Sequence, residues 1–227
     1  MQNTIPTKLA LNYAVQAHYK NGKYLKNDQY EYKNTDEGST EVCTAKANKN
    51  IMKEMFDNDI FPNTKYNDYT DEVFTHFQGL VFKMMSNTAN DFDTSVYKIL
   101  SKEMVTRSEL GYLAPLPAFY ETHLKRQTFM EEIVNSKFLG RTGEKITVRA
   151  VLHEARYIAS RDFTVYTFIS EGNLISHFSN KRFNEWADVG VLNEGNEYTL
   201  SFKVKRHQKS KFYNCNETMV NYLKVTE

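Results

Sequence analysis

Residues 145–152, Lys-Ile-Thr-Val-Arg-Ala-Val-Leu, alternate so that Ile146, Val148, Ala150 and Leu152 fall on one face of an extended chain. A strand sends successive side chains to opposite faces, whereas an α-helix would scatter these four around its circumference. The segment is therefore a strand with one buried face. Downstream, residues 164–169 are β-branched and aromatic, Glu171-Gly172-Asn173 is a turn signal, and residues 174–178 form a third strand. Residues 181–188 read as a short helix, with Phe183 and Trp186 three apart and Trp186 as a plug for the core. Glu194-Gly195-Asn196 introduces a fourth strand over 198–205, a basic loop follows, and residues 218–225 give a fifth.

Three short strands, a helix and two more strands match the layout of an OB-type barrel, whose closure removes the exposed strand edges. A β-sandwich needs about seven strands. Before residue 135 the period is helical. Helices are expected over 8–19, over 44–58 up to Pro62, over 71–84, over 92–104 and over 118–135, each with apolar residues three to five apart. Tyr24, Tyr30 and Tyr32 lie in a polar stretch expected to form a hairpin or an arm. The expected fold class is α+β: a mostly helical region, 1–135, with a Tyr-rich N-terminal arm, then a five-stranded OB-type β-barrel, 136–227.

Charge divides along the same line. Residues 1–135 hold 15 Lys+Arg and 18 Asp+Glu, net −3; residues 136–227 hold 14 and 10, net +4. A local cationic excess acts on a phosphate backbone within about 10 Å. In an OB-type barrel, ligands lie across strands 2 and 3, between the loop joining strands 1 and 2 and the loop joining strands 4 and 5. The first loop contains Arg161. The second is Arg206-His207-Gln208-Lys209-Ser210-Lys211-Phe212-Tyr213, preceded by Lys203 and Lys205. Cations followed by two aromatics combine phosphate neutralisation with a surface for base stacking. Arg149 is expected to face outward on strand 1. On strand 2 either Tyr166 and Phe168 or Val165, Thr167 and Ile169 face out, and Tyr166 is favoured because its hydroxyl tolerates water. His177 on strand 3 is placed to stack on a base or hydrogen-bond to one. Arg149, Arg161, Tyr166, His177, Lys203, Lys205, Arg206, His207, Lys209, Lys211, Phe212 and Tyr213 are the candidate nucleic-acid contacts.

Residues 136–145, Ser-Lys-Phe-Leu-Gly-Arg-Thr-Gly-Glu-Lys, carry a lead-in of the form Ser-x-aromatic-aliphatic-Gly-x-x-Gly-x-Lys/Arg. It resembles that of OB-fold modules in phage- and plasmid-borne replication proteins. Gly172-Asn173, Gly195, Val204-Lys205-Arg206-His207 and Thr218 extend the likeness, which covers residues 100–227. The chain departs at Ser176-His177-Phe178, where a Trp-Phe pair is usual, and at Lys209-Ser210-Lys211, where a glycine is expected. The resemblance implies single-stranded-DNA binding or association with replication and recombination machinery. RNA remains an alternative ligand, because strand type is decided by 2′-hydroxyl contacts.

No catalytic or cofactor fingerprint is present: no P-loop, nucleophile elbow, His-Glu-x-x-His or dinucleotide motif. The six histidines are scattered, Cys43 and Cys215 have no metal-ligand spacing, and the pairs Asp57/Asp59 and Asp68/Asp71, which could hold Mg²⁺, read rather as caps beside a helix start. The expectation is a non-enzyme with no metal and no cofactor. The alternative function is a phage-encoded inhibitor or adaptor, in which residues 1–135 engage a host or phage replication protein. No run of 18 apolar residues suggests a membrane span. An N-terminus without an apolar leader and two free thiols suggest the cytoplasm, and an Asn- and Lys-rich composition suits a phage of an AT-rich bacterium, which would make that cytoplasm the host's. Assembly into an oligomer is compatible with strand binding, and no heptad specifies one.

Overall fold

The computed structural model describes residues 3–35, 38–180, 185–186 and 190–226. They form two compact units, 1–125 and 126–227. Sequence periodicity placed the change at 135; the division instead falls within a helix.

The first unit is organised around α1 (Thr7–Asn21), whose Ala10, Leu11, Tyr13, Ala14 and Ala17 are all buried. Gly22 ends it in the left-handed conformation, φ 64°, where a side chain would be strained. Before α1, β1 (Thr4–Pro6) pairs antiparallel with the distant β4 (Met104–Thr106). The polar stretch is a hairpin of β2 (Gln29–Thr35) and β3 (Gly38–Ala45). Four helices then contribute apolar faces to a common core: α2 (Asn48–Asp57) through Ile51, Met52 and Phe56; α3 (Asn67–Gln78) through Val73 and Phe77; α4 (Leu80–Met85) through Leu80; and α5 (Asp91–Leu100) through Val96, Ile99 and Leu100. Asn90 caps α5, its Oδ1 accepting from the Asp93 N–H at 2.8 Å. The single helix expected over 71–84 is two helices, with Gly79 between them. Met104, expected on a helix, lies in β4. α6 (Leu110–Leu113) and α7 (Leu116–Ile133) complete the helices. Asp57 is held by a two-pronged bond from Arg107, Nε to Oδ1 and Nη2 to Oδ2, both 2.7 Å.

The second unit is a closed barrel of five strands: β5 (Lys145–Ile158), β6 (Phe163–Ser170), β7 (Asn173–Ser179), β10 (Glu197–Lys209) and β11 (Asn216–Thr226). Around the barrel the order is β5, β6, β7, β11, β10 and back to β5. Every pair is antiparallel except β7 with β11. The fold class is therefore α+β with an OB-type barrel. Glu171 (φ 49°) and Gly172 (φ 74°) form a two-residue turn between β6 and β7, requiring positive φ at both positions. A Cβ on Gly172 would lie 3.1 Å from the Glu132 carbonyl oxygen, a tight approach that adds to the conformational preference for glycine.

The helix expected over 181–188 is not present at Glu185–Trp186, which form β8 and pair with β9 (Gly190–Val191). Residues 181–184 and 187–189, including Phe183, lie outside the described residues, as does the side chain of Trp186. Leu152, Tyr166, Phe168, Ile175, Leu200, Phe202, Val204, Val220 and Val225 fill the barrel. A separate cluster forms on its outside: Phe129 and Ile133 from the end of α7 pack with Ile169, Leu174 and Cys215.

Candidate nucleic-acid interface

Residues directly opposite each other in a sheet share a face, so register settles which side chains of β6 and β7 point outward. Tyr166 pairs with His177 and Phe168 with Ile175, and Tyr166, Phe168 and Ile175 are buried inside the barrel. Val165 with Phe178, Thr167 with Ser176 and Ile169 with Leu174 form the outer rows. Tyr166 is 0% exposed and is not a surface contact. Its hydroxyl gave the wrong guide, because the inward set of β6 is the one containing Phe168. His177 faces the same way. Its Nδ1 lies 3.1 Å from the Val220 carbonyl oxygen, which can only accept, so the Nδ1–H donates. Burial pushes its pKa below the ordinary value, countered in part by that bond, while nearby Lys205 pushes it down further. His177 thus helps close the β7–β11 seam rather than offering an exposed ring to a base.

The outer rows are themselves divided. Near the β6–β7 turn, Ile169 and Leu174 lie beneath Phe129 and Ile133. Thr167 and Ser176 are buried too; Ser176 Oγ donates to Glu217 Oε1, and Gln208 Nε2 donates to Glu217 Oε2 at 2.8 Å. That part of the expected ligand face is covered by the protein itself. At the other end Phe178 is 45% exposed, with Phe163 5.5 Å away. Arg156 lies across from Val165, its Nε 3.8 Å from Glu154 Oε1. Arg161 is exposed in the β5–β6 connection. Phe163, Phe178 and Arg156 went unrecognised as candidates, although the alternation of β6 and β7 carries the signal once its phase is fixed.

β10 runs on to Lys209, so residues 206–209 are strand, and only 210–215 form the connection to β11. Register shifts after Ser201 and after Val204 interrupt the β10–β11 ladder. Lys203, Lys205, Arg206 and Lys209 are exposed along this strand, and Lys211 and Phe212 are exposed in the connection, Phe212 by 75%. Arg206 Nε lies 2.9 Å from Met219 Sδ. Two expected contacts are half-buried and pack within the barrel unit. His207 is half-buried, its ring stacked on Phe138 at 4.5 Å and its Nε2–H donating to the Leu139 carbonyl at 3.2 Å. Tyr213 turns back so that its ring meets Phe129 edge to face at 4.9 Å, and burial raises its hydroxyl pKa. Stacking on Phe138 and the bond to Leu139 hold His207, and the apolar body of the Tyr213 ring packs against Phe129. Arg149 faces outward from β5, its Nη1 3.5 Å from Glu197 Oε2.

Register also joins residues that the sequence left apart. Lys145 on β5 lies directly opposite Lys203 on β10, and Ser201 on β10 has Thr147 on one side and Lys224 of β11 on the other. With Ile146, Phe202 and Tyr222 they line an open groove of about 610 Å³. The outward alternation of 145–147 and 222–224 was readable, but its convergence on Lys203 depends on the bulge in β11.

Among the described residues no three His, Cys, Asp or Glu side chains are grouped to hold a metal ion, and no helix is long and apolar enough to cross a membrane. Comparison of the chain with protein-family models, with curated proteins and with solved structures found no match.

Proposed function

We propose that the barrel binds single-stranded nucleic acid, DNA in the first instance, in a non-catalytic role in replication or recombination of a phage. The observation that carries this reading is the state of its cations. Lys145, Lys203, Lys205, Arg206, Lys209, Lys211 and Lys224 are exposed and form no ion pair among the described residues. Arg149 and Arg156 of the barrel do meet carboxylates, as do Lys8, Lys46, Lys83, Lys102 and Arg107 of the first unit, so what marks the seven is that they gather on neighbouring strands and their connection. Concentrated positive charge repels itself, and a phosphate backbone relieves that repulsion while releasing its own counterions. Exposed Phe178, Phe212 and Tyr222 add aromatic rings suited to unstacked bases, which a duplex does not offer. The resemblance of residues 136–145 to replication-associated modules points the same way.

Fluorescence anisotropy with a labelled strand of about 30 nucleotides at about 50 mM salt tests the reading. Saturable binding is expected, weaker for a duplex of equal length. Lys205→Glu with Lys209→Glu should weaken it to a similar extent for strands of any sequence. Absence of binding to any single strand under these conditions would overturn the proposal.

A further inference from the structure

We propose that the groove bounded by Lys145, Lys203, Lys224 and Tyr222 is a nucleotide subsite, in which Tyr222 stacks on one base of the bound strand and the lysines hold its flanking phosphates. This rests on the reading of the barrel as a strand binder and locates the stacking contact on the β5–β10–β11 side, away from β6 and β7. Two independent features lead to it.

The first is backbone strain at an exposed aromatic. Between the pairs Ser201–Lys224 and Lys203–Asn221, β11 has two residues, Tyr222 and Leu223, where β10 has one. The first position of such a bulge, when left-handed, ordinarily belongs to glycine. Here it is Tyr222 at φ 53°, an outlier for a bulky residue. Packing does not explain the choice: Tyr222 is 79% exposed, while Leu223 beside it fills the core. A bulge re-aims a side chain, and this one presents a large ring to solvent at the rim of a groove.

The second is charge. Like charges directly opposite across a strand pair are destabilising, yet Lys145 faces Lys203 and Lys224 stands in the adjoining row. None of the three forms an ion pair among the described residues. Between these outward rows run Ile146 and Phe202, paired with each other and turned toward the barrel core, and Thr147 Oγ1 and Ser201 Oγ hydrogen-bond to each other at 2.8 Å on the groove side. A flat exposed ring beside a hydroxyl-bearing row and a cationic rim fits a base with a phosphate on either side. Its volume of about 610 Å³ suits a ligand of that size. Stacking on a π-face is tolerant of sequence, since every base has one.

The test uses the full chain and a labelled oligothymidylate followed by anisotropy. Tyr222→Gly removes the ring and suits the backbone, so the melting temperature should hold or rise while affinity falls about ten-fold. The salt slope should stay unchanged in that variant, because no phosphate contact is lost. Tyr222→Trp should bind within a few-fold of the natural protein. Lys145→Gln and Lys224→Gln should each make the slope of log K against log salt shallower by about 0.7. If the natural protein binds the strand and all these variants match it in affinity and slope, the groove is not a subsite and strand binding lies elsewhere on the barrel. If the natural protein binds no strand, both proposals fall.

Discussion

His177 and His207 each end a ring N–H on a backbone carbonyl, of Val220 and of Leu139 respectively. Expected as base contacts, both rings are tied into the barrel by these bonds. Burial lowers the pKa of His177, and those of His76 and His153 move the same way, chiefly for the same reason. In the unfolded chain these histidines take up a proton near about pH 6.5; in the folded chain they do so only at lower pH. The unfolded state therefore binds more protons in that interval. Stability held by the neutral rings is complete above about pH 6.5 and declines as pH falls through the folded values. Thermal melts should show a lower midpoint at about pH 5.5 than at about pH 7.5, with a smaller drop in His177→Gln. Equal drops in both would remove His177 from the account. The carboxylates of Asp57 and Glu109, held low chiefly by side-chain hydrogen bonds from Arg107 and Lys102, lose their contribution only below about pH 4 and do not blur this window.

At the scale of elements, α7 and β10 decide where a ligand can lie. The end of α7 places Phe129 and Ile133 over Ile169 and Leu174, and His153 stacks flat on Phe129 at 3.7 Å. Phe129→Ala should cost about 3–5 kcal/mol in urea denaturation, because it leaves a cavity bounded by rigid strands. A loss below about 1 kcal/mol would mean that the cover contributes little. This cover was not legible in the sequence, since the last apolar residues of α7 show only that a face is buried, not what buries it. β10 is longer than its pattern suggested for a related reason. Arg206-His207-Gln208-Lys209 has no apolar alternation, but Met219, Thr218, Glu217 and Asn216 of β11 supply its ladder partners. Tyr166 failed by one residue of phase, which is enough to exchange the two faces of a strand.

For the molecule as a whole, the shift from a helical to an alternating period gave away the α+β class, and turn residues such as Glu171-Gly172 separated the strands. Three-residue strands such as β1 and β4 are too short to show any period, and their pairing spans the first unit. The candidate surface was half legible. A run of cations is visible in one dimension, while the meeting of Lys145, Lys203 and Lys224 from three strands depends on register and a bulge. Contact of this surface with a phosphate backbone is the claim on which the functional reading stands. Its most direct measurement is the affinity of the full chain for a single strand across a salt series. With about −0.7 per neutralised phosphate, engagement of four or more cations predicts a log–log slope of about −3 or steeper. A slope near zero, or no measurable affinity even at low salt, would contradict it.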